Sequence, residues 1–335
     1  MLVVPPHLDA VVEPLRAALD GGEPVLVAND PRVVDAARLD EPCMAALLVA
    51  TSGTTGPPKV VELSATALLA SARATHAVLG GPGRWVLNLP LTFIAGLQVA
   101  VRSIVAGSDA PRRYTAVVPT QLGRMMSELR DFDAVLVGGA ATPPRLLAQA
   151  REAGVNVVTT YGMTETCGGC VYDGTALPGV TWRIEETIVI GGVTVADGYR
   201  GGIRFGGEFR TADLGAVGPD GRLMVLGRAD DVIVSGGINI HPDTVADALR
   251  RQPGVQDCAV AGVPDAEWGQ AVVAWVVGHV DPSELRNAVG GELGLATPKT
   301  VHLVAAIPHL PSGKPDRRAL VAGLGQSGLP STGPR

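Results

Sequence analysis

Glycines, hydroxyls and a lysine are concentrated in one short segment behind the apolar run Met44–Ala50. Glycine lets a backbone approach a ligand closely, hydroxyls and amides donate hydrogen bonds to phosphate oxygens, and lysine adds positive charge. The spacing differs from that of a Walker A loop, because no Gly-Lys-Ser/Thr follows the glycines. We predict a polyphosphate-binding loop, with an ordinary surface loop as the alternative. The predicted phosphate-binding residues are Thr51, Ser52, Gly53, Thr54, Thr55, Gly56 and Lys59.

The segments that must position this loop alternate between apolar runs and helix-like stretches from residue 40 to residue 160. Ser64 fits the N-cap of a helix to about Leu79, and Gly107 ends a helix predicted over Ile94–Ala106. Such alternation predicts a parallel sheet covered on both faces, with ligands at the carboxyl ends of its strands. The other predicted elements are strands at Trp85–Leu89, Ala116–Val118, Ala134–Val137 and Val155–Thr159, a helix from Thr120 to about Leu129, and a helix with Thr142 as N-cap and Pro143 as its first residue.

The pattern changes near Val171 and again at Asp230. Short runs rich in Gly, Thr and Val favour a small antiparallel β region as far as Leu226. A compact α+β pattern follows, with helices near 243–250 and 283–293 and strands near 258–263, 271–277 and 301–305. We therefore predict a large domain over residues 1–229, a small domain over residues 230–323, and a Gly/Ser/Pro-rich disordered tail over residues 324–335.

The composition indicates a folded, acidic protein. The chain has 335 residues, 46% of them hydrophobic, and a formal net charge of −6, so we expect no nucleic-acid partner. The uncharged stretch Trp85–Val101 is interrupted by polar residues and proline, and it is shorter than the ~20 apolar residues of a membrane span. We find neither a signal peptide nor a disulfide framework, and therefore expect a cytoplasmic protein without membrane insertion. The pair Cys167 and Cys170 lacks the further ligands that a zinc site needs.

The phosphate loop is one of several motifs that resemble those of a known family. Ser52–Lys59 is similar to the nucleotide-phosphate loop of adenylate-forming enzymes, the group of acyl-CoA synthetases and peptide-synthetase adenylation domains. The family's other motifs follow in order and span most of the chain. The matching segments are Pro90–Gly96, Tyr161–Thr166, Gly198–Gly201, Arg210–Gly215, Gly227–Ile233 and Pro311–Lys314.

The resemblance implies an α/β fold of the adenylate-forming type. The large N-terminal domain would contain parallel sheets and a small β region, and the small α+β C-terminal domain would be mobile. The implied reaction joins a carboxylate to ATP, which gives an acyl-adenylate and pyrophosphate, and a thiol then displaces AMP. ATP, Mg²⁺ and coenzyme A are the implied cofactors and co-substrates. Such chemistry depends on positioning and charge neutralisation.

Three residues are implied to act on the reacting groups. Lys314 would bridge the substrate carboxylate and the α-phosphate, Glu165 would bind Mg²⁺, and Thr164 would donate to the α-phosphate. Mg²⁺ prefers one or two carboxylates together with phosphate oxygens and water. The alternatives are a solvated surface lysine at Lys314 and a structural Glu165 paired with an arginine.

The remaining nucleotide and CoA contacts are also implied by the resemblance. A carboxylate in the ribose motif, where the family's Thr-Gly-Asp reads Thr-Ala-Asp, accepts hydrogen bonds from two vicinal hydroxyls. The alternative for this carboxylate, Asp213, is a salt bridge with Arg228. The alternative for Gly236 and Gly237 is ordinary turn geometry. The hinge between the domains is implied at Asp230, which would absorb a large backbone rotation. The implied cofactor-binding residues are Gly139, Ala140, Tyr161 and Gly162 for the nucleotide, Asp213 and Arg228 for ribose or phosphate, and Gly236 and Gly237 for the pantetheine arm.

The chain has only a short region before the phosphate loop. In this compactness, and in the segments Leu89–Gln98 and Tyr161–Cys167, it resembles the o-succinylbenzoate–CoA ligases of menaquinone biosynthesis. The implied substrate is o-succinylbenzoate, an aryl dicarboxylate, in a pocket lined by Phe93, Gly96, Gly138 and Thr166. Phe93 stands where acyl-CoA ligases often have histidine, so it either shutters the pocket or packs in the core. No residue is identified for the second carboxylate. The alternatives are another aryl- or acyl-CoA ligase, an adenylation enzyme that loads a carrier protein, and a non-catalytic nucleotide-binding relative. A homodimer is compatible with each.

Overall fold

The computed structural model describes residues 1–51, 58–310 and 314–326. Five residues of the predicted phosphate loop lie outside the described residues, namely Ser52, Gly53, Thr54, Thr55 and Gly56, as do Pro311–Gly313 of the lysine motif. The chain divides into two compact units, of which the first comprises Met1–Thr211 with Val217–Met224 and the second Ala212–Ala216 with Val225–Arg335. This division falls ahead of Asp230, where the domain boundary stays a prediction.

The sequence did not predict the strands Leu2–Val4 and Val25–Val27, because runs of three residues are too short to show a periodic pattern. Asp30 caps the second helix by accepting from the backbone N–H of Arg32. The elements of this part are β1 (Leu2–Val4), α1 (Leu8–Leu19), β2 (Val25–Val27), α2 (Pro31–Ala36), β3 (Leu47–Thr51) and β4 (Lys59–Leu63).

The predicted alternation of strands and helices is confirmed in the next part of the first unit. Ser64 accepts from the N–H of Ala67, and Gly107 ends its helix with a φ of +74°. The helix predicted from Thr120 is wrong at both ends: Pro119 occupies its first turn, and it stops at Arg124. The elements are α3 (Ala65–Val78), β5 (Gly83–Val86), α4 (Ile94–Ala106), β6 (Arg112–Val117), α5 (Pro119–Arg124), β7 (Ala134–Val137), α6 (Pro144–Glu152) and β8 (Val157–Met163).

Short strands follow, as predicted from Val171 onward. Helix α6 is displaced by one residue from its prediction, since Pro143 is its N-cap and Pro144 its first residue. The strands are β9 (Gly168–Tyr172), β10 (Thr175–Ala176), β11 (Val180–Ile184), β12 (Ile188–Gly192), β13 (Gly198–Tyr199), β14 (Glu208–Arg210), β15 (Asp213–Val217) and β16 (Leu223–Arg228).

Two large sheets organise the first unit. One has the order β1-β2-β3-β4-β13, and the other has the order β10-β9-β8-β7-β6-β5. Strands β5 to β8 pair in parallel, which confirms the predicted parallel sheet. Strands β11, β12 and β14 form a small antiparallel sheet, and β15 pairs with β16 in a separate two-stranded sheet.

Helix α4 supplies side chains to two of the hydrophobic cores of the first unit. Leu97 and Val101 pack in the core that includes Leu15 and Leu47, whereas Val99 packs in the core that includes Trp85. A helix that contacts apolar groups on opposite sides must itself be apolar nearly all round. Packing against two cores therefore accounts for the long uncharged stretch of sequence.

The second unit is the predicted α+β region. Its elements are β17 (Ile233–Ser235), β18 (Ile238–Ile240), α7 (Pro242–Arg250), β19 (Val255–Asp265), β20 (Gly269–Gly278), α8 (Pro282–Leu293), β21 (Thr300–Leu303) and α9 (Arg317–Gln326). The sheet has the order β18-β17-β20-β19, and β21 pairs with β20. Helix α9 runs past Leu324, where the sequence predicted the disordered tail to begin, because Leu320 and Leu324 pack against a core around Trp275.

A search for membrane-spanning helices found none among the described residues.

Candidate active site

The two ends of the predicted phosphate loop face each other on antiparallel strands. Thr51 ends β3 and pairs with Lys59, which begins β4. The Thr51 hydroxyl donates to the carbonyl of Lys59 over 3.4 Å. The strands on the two sides of the loop therefore form an antiparallel pair, and Lys59 itself is exposed.

Glu165 lies in a short turn directly after β8, at its carboxyl end. The 3₁₀ turn Thr164–Thr166 holds the residue, and the Glu165 side chain is buried. Among the described residues, the carboxylate has one hydrogen-bond partner, the Tyr199 hydroxyl, which donates to Oε1 over 2.7 Å. No ion pair of Glu165 occurs among the described residues. The structure therefore differs from the alternative in which Glu165 pairs with an arginine. Oxygen donors of this kind suit Mg²⁺.

Tyr199 connects the loop to Glu165. The Lys59 ammonium lies 5.2 Å from the centroid of the Tyr199 ring, a cation–π distance. Burial, and then the hydrogen bond to Glu165, raise the pKa of the Tyr199 hydroxyl far above its ordinary value, so it stays a proton donor. The sequence placed Tyr199 in a family motif without giving it a role. Its contact with Glu165 depends on β13 pairing with β4, which is a long-range event.

Thr166 shapes the turn that carries Glu165. Its buried hydroxyl accepts from the N–H of Met163 and lies within donating distance of the carbonyls of Met163 and Gly168. The next residue, Cys167, has a φ of +54°, which a side chain other than glycine seldom adopts. The structure thus gives Thr166 a positioning role, and its predicted contact with substrate stays a prediction.

The residues predicted to contact the base lie at the ends of β7 and β8. A Cβ at Gly138 would come within 2.2 Å of the Thr160 Oγ1, so only glycine fits there. Gly139 has a φ of +81°, and Ala140 is half-buried. Tyr161 and Gly162 lie at a bulge between β8 and β9. These residues therefore lie at the ends of strands, where ligands bind in such sheets.

The two predicted acid-binding residues at the start of α4 differ in burial. Phe93 precedes the helix and is half-buried, so both of its alternatives, a shutter of the pocket and packing in the core, stay open. Gly96 is buried, and a Cβ there would meet the Pro90 carbonyl oxygen at 2.3 Å. Gly96 therefore lets the helix pack on its own preceding loop.

A buried ion-pair cluster supports β13, and the sequence analysis did not single it out. Arg200 donates to Glu62 over 2.8 Å and also to four backbone carbonyls, those of Ala37, Arg38, Glu41 and Pro42. Arg204 also pairs with Glu62. The Arg200 guanidinium thus fastens the segment after α2 beside the strand that carries Tyr199.

In the second unit, the predicted ribose and hinge residues are linked through one arginine. Arg228 makes a bidentate pair with Asp230, with both N–O distances 2.8 Å, and lies 3.8 Å from Asp213. The hydrogen bonds from Arg228, together with the charge of Lys314, lower the pKa of Asp230. The alternative of an Asp213–Arg228 ion pair is thus present, at long range.

The predicted pantetheine glycines form the turn between β17 and β18. Gly236 and Gly237 have φ values of +57° and +80°, the geometry of a two-residue hairpin turn. A Cβ at Gly236 would meet the Trp268 ring at 2.5 Å, whereas nothing lies within 4 Å at Gly237. Turn geometry therefore accounts for both glycines, and a role in CoA binding stays a prediction.

Lys314 is exposed, and its segment is fixed on both sides. The Leu310 N–H donates to the carbonyl of Lys314 over 2.8 Å. Three residues later, Arg317 donates to Asp231 and to the carbonyl of Val260, each over 2.9 Å, and pairs with Asp243. The lysine segment is thus tied to the residue that follows the predicted hinge.

The sequence predicted no zinc site at Cys167 and Cys170, and this stays a prediction. No group of three or more His, Cys, Asp or Glu side chains that could hold a metal occurs among them. Cys167 and Cys170 are buried thiols, and burial raises the pKa of Cys170 to about 11. A single carboxylate such as Glu165 still fits Mg²⁺, because this ion takes its other ligands from phosphates and water.

Comparison with known proteins gave matches in sequence and in structure. Residues 244–314 match the family described as the AMP-binding enzyme C-terminal domain. The chain is 43% identical over 356 aligned residues to the probable 2-succinylbenzoate–CoA ligase of Mycobacterium tuberculosis (strain CDC 1551 / Oshkosh). That alignment covers 92% of this chain and 93% of the relative.

Two solved structures of o-succinylbenzoate CoA synthetase (MenE) from Bacillus subtilis are similar in fold. The structure in complex with the acyl-adenylate intermediate OSB-AMP has a TM-score of 0.75 and 24% identity, covering 95% of this chain and 87% of the other. The structure in complex with ATP and magnesium ion has a TM-score of 0.72 and 28% identity, covering 82% and 70%. The predicted fold class is confirmed.

Proposed function

The chain belongs to the family of 2-succinylbenzoate–CoA ligases, and on that premise we propose that it converts 2-succinylbenzoate to its CoA thioester through an acyl-adenylate. ATP and CoA are the co-substrates and Mg²⁺ is the metal cofactor. The observation that carries the proposal is the contact chain Lys59–Tyr199–Glu165, which joins a polyphosphate-type loop to a buried carboxylate. The reaction belongs to menaquinone biosynthesis.

The first half-reaction is an attack of one anion on another. An oxygen of the succinyl carboxylate forms a bond to the α-phosphorus of ATP, and the bond to the pyrophosphate oxygen breaks with its electron pair. We assign Lys314 to lie between the carboxylate and the α-phosphate, because a cation there lowers their repulsion. Thr164 and the Thr51–Lys59 segment are assigned to the phosphates, together with Gly139, Ala140, Tyr161 and Gly162 for the base.

The metal is assigned to Glu165, whose carboxylate Tyr199 orients. Bound Mg²⁺ neutralises phosphate charge during transfer. Asp213 and Arg228 are assigned to the ribose, and Phe93, Gly96 and Gly138 to the acid. Thr166, which shapes the Glu165 turn, is assigned to the acid as well.

The second half-reaction exchanges one leaving group for another. The CoA sulfur forms a bond to the acyl carbon, AMP leaves with the electron pair of the broken bond, and the thiol proton is released. We assign Asp230 as the hinge that changes the orientation of the small domain between the two half-reactions, and Gly236 and Gly237 to the pantetheine arm.

The direct test combines the protein with ATP, Mg²⁺, CoA and 2-succinylbenzoate and identifies the products by mass spectrometry. The expected products are AMP, pyrophosphate and the mono-CoA thioester. If the protein forms no acyl-adenylate from ATP and Mg²⁺, with CoA left out, for this acid or for any other in a screen, the non-catalytic alternative replaces the proposal. A screen of acids scored by pyrophosphate release separates the proposed substrate from other aryl and short-chain acids.

Three wider features complete the proposal. We place the enzyme in the cytoplasm as a homodimer without a nucleic-acid partner. Cell fractionation and light scattering in solution test the first two, and a nucleic-acid binding titration at low salt tests the third.

A further inference from the structure

Tyr199 lies in a strand that is too short to hold its position by pairing alone. Strand β13 consists of Gly198 and Tyr199, and it pairs with β4 at the edge of its sheet. Strands in proteins usually have three or more residues, since a pair of residues makes few backbone hydrogen bonds. Tyr199 nevertheless contacts both Lys59 and Glu165, so further interactions must fix β13.

The side chain of Arg200, the residue directly after β13, uses every N–H of its guanidinium. A guanidinium has five N–H donors. Here they donate to the carbonyls of Ala37, Arg38, Glu41 and Pro42 and to Oε1 of Glu62, over 2.6 to 2.9 Å. The side chain is 3% exposed. Arg200 therefore has no donor left for a phosphate or an acid, and any part that it takes in the reaction must be indirect.

The Glu62 carboxylate ties this guanidinium to the strand that begins at Lys59. Glu62 lies on β4 and is 7% exposed. Arg204 also pairs with Glu62, but the Arg204 side chain is 60% exposed, so water screens this second ion pair. Removing one partner of a buried ion pair leaves an uncompensated charge, which is strongly unfavourable. The buried pair of Glu62 with Arg200 thus holds the residue after Tyr199 against β4.

The segment 37–42 closes around the same guanidinium. Arg38 has a φ of +46°, a conformation that a residue other than glycine seldom adopts, and its carbonyl accepts from Arg200. Such a conformation persists where the surroundings fix it. A Cβ at Gly201 would meet the Arg38 guanidinium at 2.4 Å, so the two segments are in close contact. We call Glu62, Arg200 and the four carbonyls of this segment the Arg200 clamp.

We infer that Arg200 is a positioning residue for adenylation, which fixes Tyr199 between Lys59 and Glu165 and thereby orients the carboxylate assigned to Mg²⁺. The inference rests on the proposed function, which assigns the metal to Glu165. Arg200 acts through Tyr199, the residue before it in the chain. When the guanidinium leaves its five acceptors, β13 loses its attachment to β4, and the Tyr199 hydroxyl no longer holds Glu165.

The test replaces the guanidinium by a cation with fewer donors. Arg200→Lys keeps a positive charge for Glu62, but an ammonium has three N–H donors and no planar fork, so it cannot satisfy all five acceptors. We expect the half-saturating Mg²⁺ concentration for adenylation to rise roughly 3- to 10-fold. Calorimetry gives a second readout without turnover, because the factor by which Mg²⁺ strengthens ATP binding should fall by the same fold-change.

The matched control is Arg204→Lys, the same substitution at the exposed arginine that shares Glu62. Its Mg²⁺ dependence should equal that of the wild-type protein. A double variant, Arg200→Lys with Tyr199→Phe, tests the route of the effect. If Arg200 acts through the Tyr199 hydroxyl, the double variant has the Mg²⁺ dependence of Tyr199→Phe alone, whereas independent effects multiply.

Glu62→Gln decides the matter if Arg200→Lys does not fold. The amide keeps the shape of the side chain and an acceptor for Arg200, and it removes the negative charge. We expect the same change in Mg²⁺ dependence by a smaller factor, roughly 2- to 5-fold, because one hydrogen bond is kept. The Tm of each variant shows which of them are folded.

The outcomes separate this inference from the proposed function. Wild-type Mg²⁺ dependence in both readouts, for Arg200→Lys or for Glu62→Gln where Arg200→Lys does not fold, would make the clamp structural only and overturn the inference, while the ligase function stands. An equal shift in Arg204→Lys, or multiplied effects in the double variant, would overturn it as well. If the wild-type protein forms no acyl-adenylate, the proposed function fails, and calorimetry with ATP and Mg²⁺ still tests Arg200. A shift confined to the Arg200 and Glu62 variants supports the inference.

Discussion

Tyr199 holds the predicted metal ligand in place, and replacing it should affect metal use before anything else. Tyr199→Phe removes the one hydrogen bond that the Glu165 carboxylate accepts among the described residues, while keeping the ring under Lys59. Groups that orient a metal ligand typically contribute 10- to 100-fold to metal affinity. We expect the half-saturating Mg²⁺ concentration for adenylation to rise about tenfold. Measuring the adenylation rate against Mg²⁺ concentration checks this.

The control for this prediction is a second buried tyrosine. Tyr114→Phe also loses hydroxyl hydrogen bonds, to the carbonyls of Leu79 and Gly81, but has no contact with Glu165. It should lower stability and leave the Mg²⁺ dependence unchanged. Identical Mg²⁺ curves for Tyr199→Phe and wild type would contradict the positioning role.

His76 makes stability depend on pH. Burial, and then the charge of Arg102, lower the pKa of His76 to about 4, and its neutral ring accepts from the Trp85 indole over 3.0 Å. The unfolded chain, with an ordinary histidine pKa near 6.5, therefore binds more protons between these values. The free energy of unfolding therefore decreases by roughly 1 to 3 kcal/mol as the pH falls from 6.5 toward 4.

Urea unfolding at several pH values measures this effect. His76→Gln retains an acceptor for Trp85 and removes the titrating group, so its stability should change less between pH 6.5 and pH 4. An unchanged slope in the variant would show that other groups cause the acid dependence.

The start of α4 contains Gly96, where the surrounding backbone leaves no room for a methyl group. Gly96→Ala would place a Cβ 2.3 Å from a backbone oxygen, so the helix must shift. We expect a loss of about 1 to 3 kcal/mol of stability, the usual cost of overpacking, and a higher KM for the acid. Gly123→Ala in α5 is the control, since its Cβ makes an ordinary contact at 3.7 Å and alanine favours a helix by about 1 kcal/mol. Thermal unfolding and acid saturation curves distinguish them; equal behaviour of the two variants would refute the packing argument.

The segment of Lys314 depends on its anchor at the start of α9. Lys314→Ala should abolish adenylation and spare thioester formation from supplied acyl-adenylate, because the lysine acts between two anions only in the first step. Arg317→Met removes the ties to Asp231, Asp243 and the Val260 carbonyl, so it should show the same selectivity in weaker form.

The control is Arg145→Met, the same change at an exposed residue in the first turn of α6. Separate assays of the two half-reactions give the answer. A loss of both half-reactions in equal proportion, for either Lys314→Ala or Arg317→Met, would mean a general effect on folding instead of positioning.

Across the whole molecule, the proposed hinge predicts a difference between the two half-reactions. Asp230→Pro restricts backbone rotation and also breaks the pair with Arg228, whereas Asp230→Ala breaks the pair and keeps the rotation. We expect the proline variant to slow thioester formation more than adenylation, and the alanine variant to affect the two steps similarly. Single-turnover rates of each step decide the matter. Equal losses in both steps for the proline variant would remove Asp230 as the hinge.

Local signals predicted the elements whose ends are chemically marked. Ser64 and Gly107 fixed helix ends to within a residue, because caps act over a few positions. The N-terminal strands and the extent of α5 were missed, since β1 and β2 are held by pairing with other strands and the Gln121 side chain of α5 donates to the carbonyl of Asn88, which is 33 residues away. Element ends of that kind depend on contacts that a short window of sequence does not contain.

The sequence by itself determined the family and the residue types of the site, because motif order and residue chemistry are properties of the chain. Only the tertiary structure decided which of these groups meet. Tyr199 reaches Glu165, and Arg317 reaches Asp231, through strand pairing and packing between residues far apart in sequence. Among the described residues, the same packing leaves the Gln98 amide and the Nε of Arg102 without a hydrogen-bond partner, since burial depends on the surroundings of a helix face and not only on the residues of the helix.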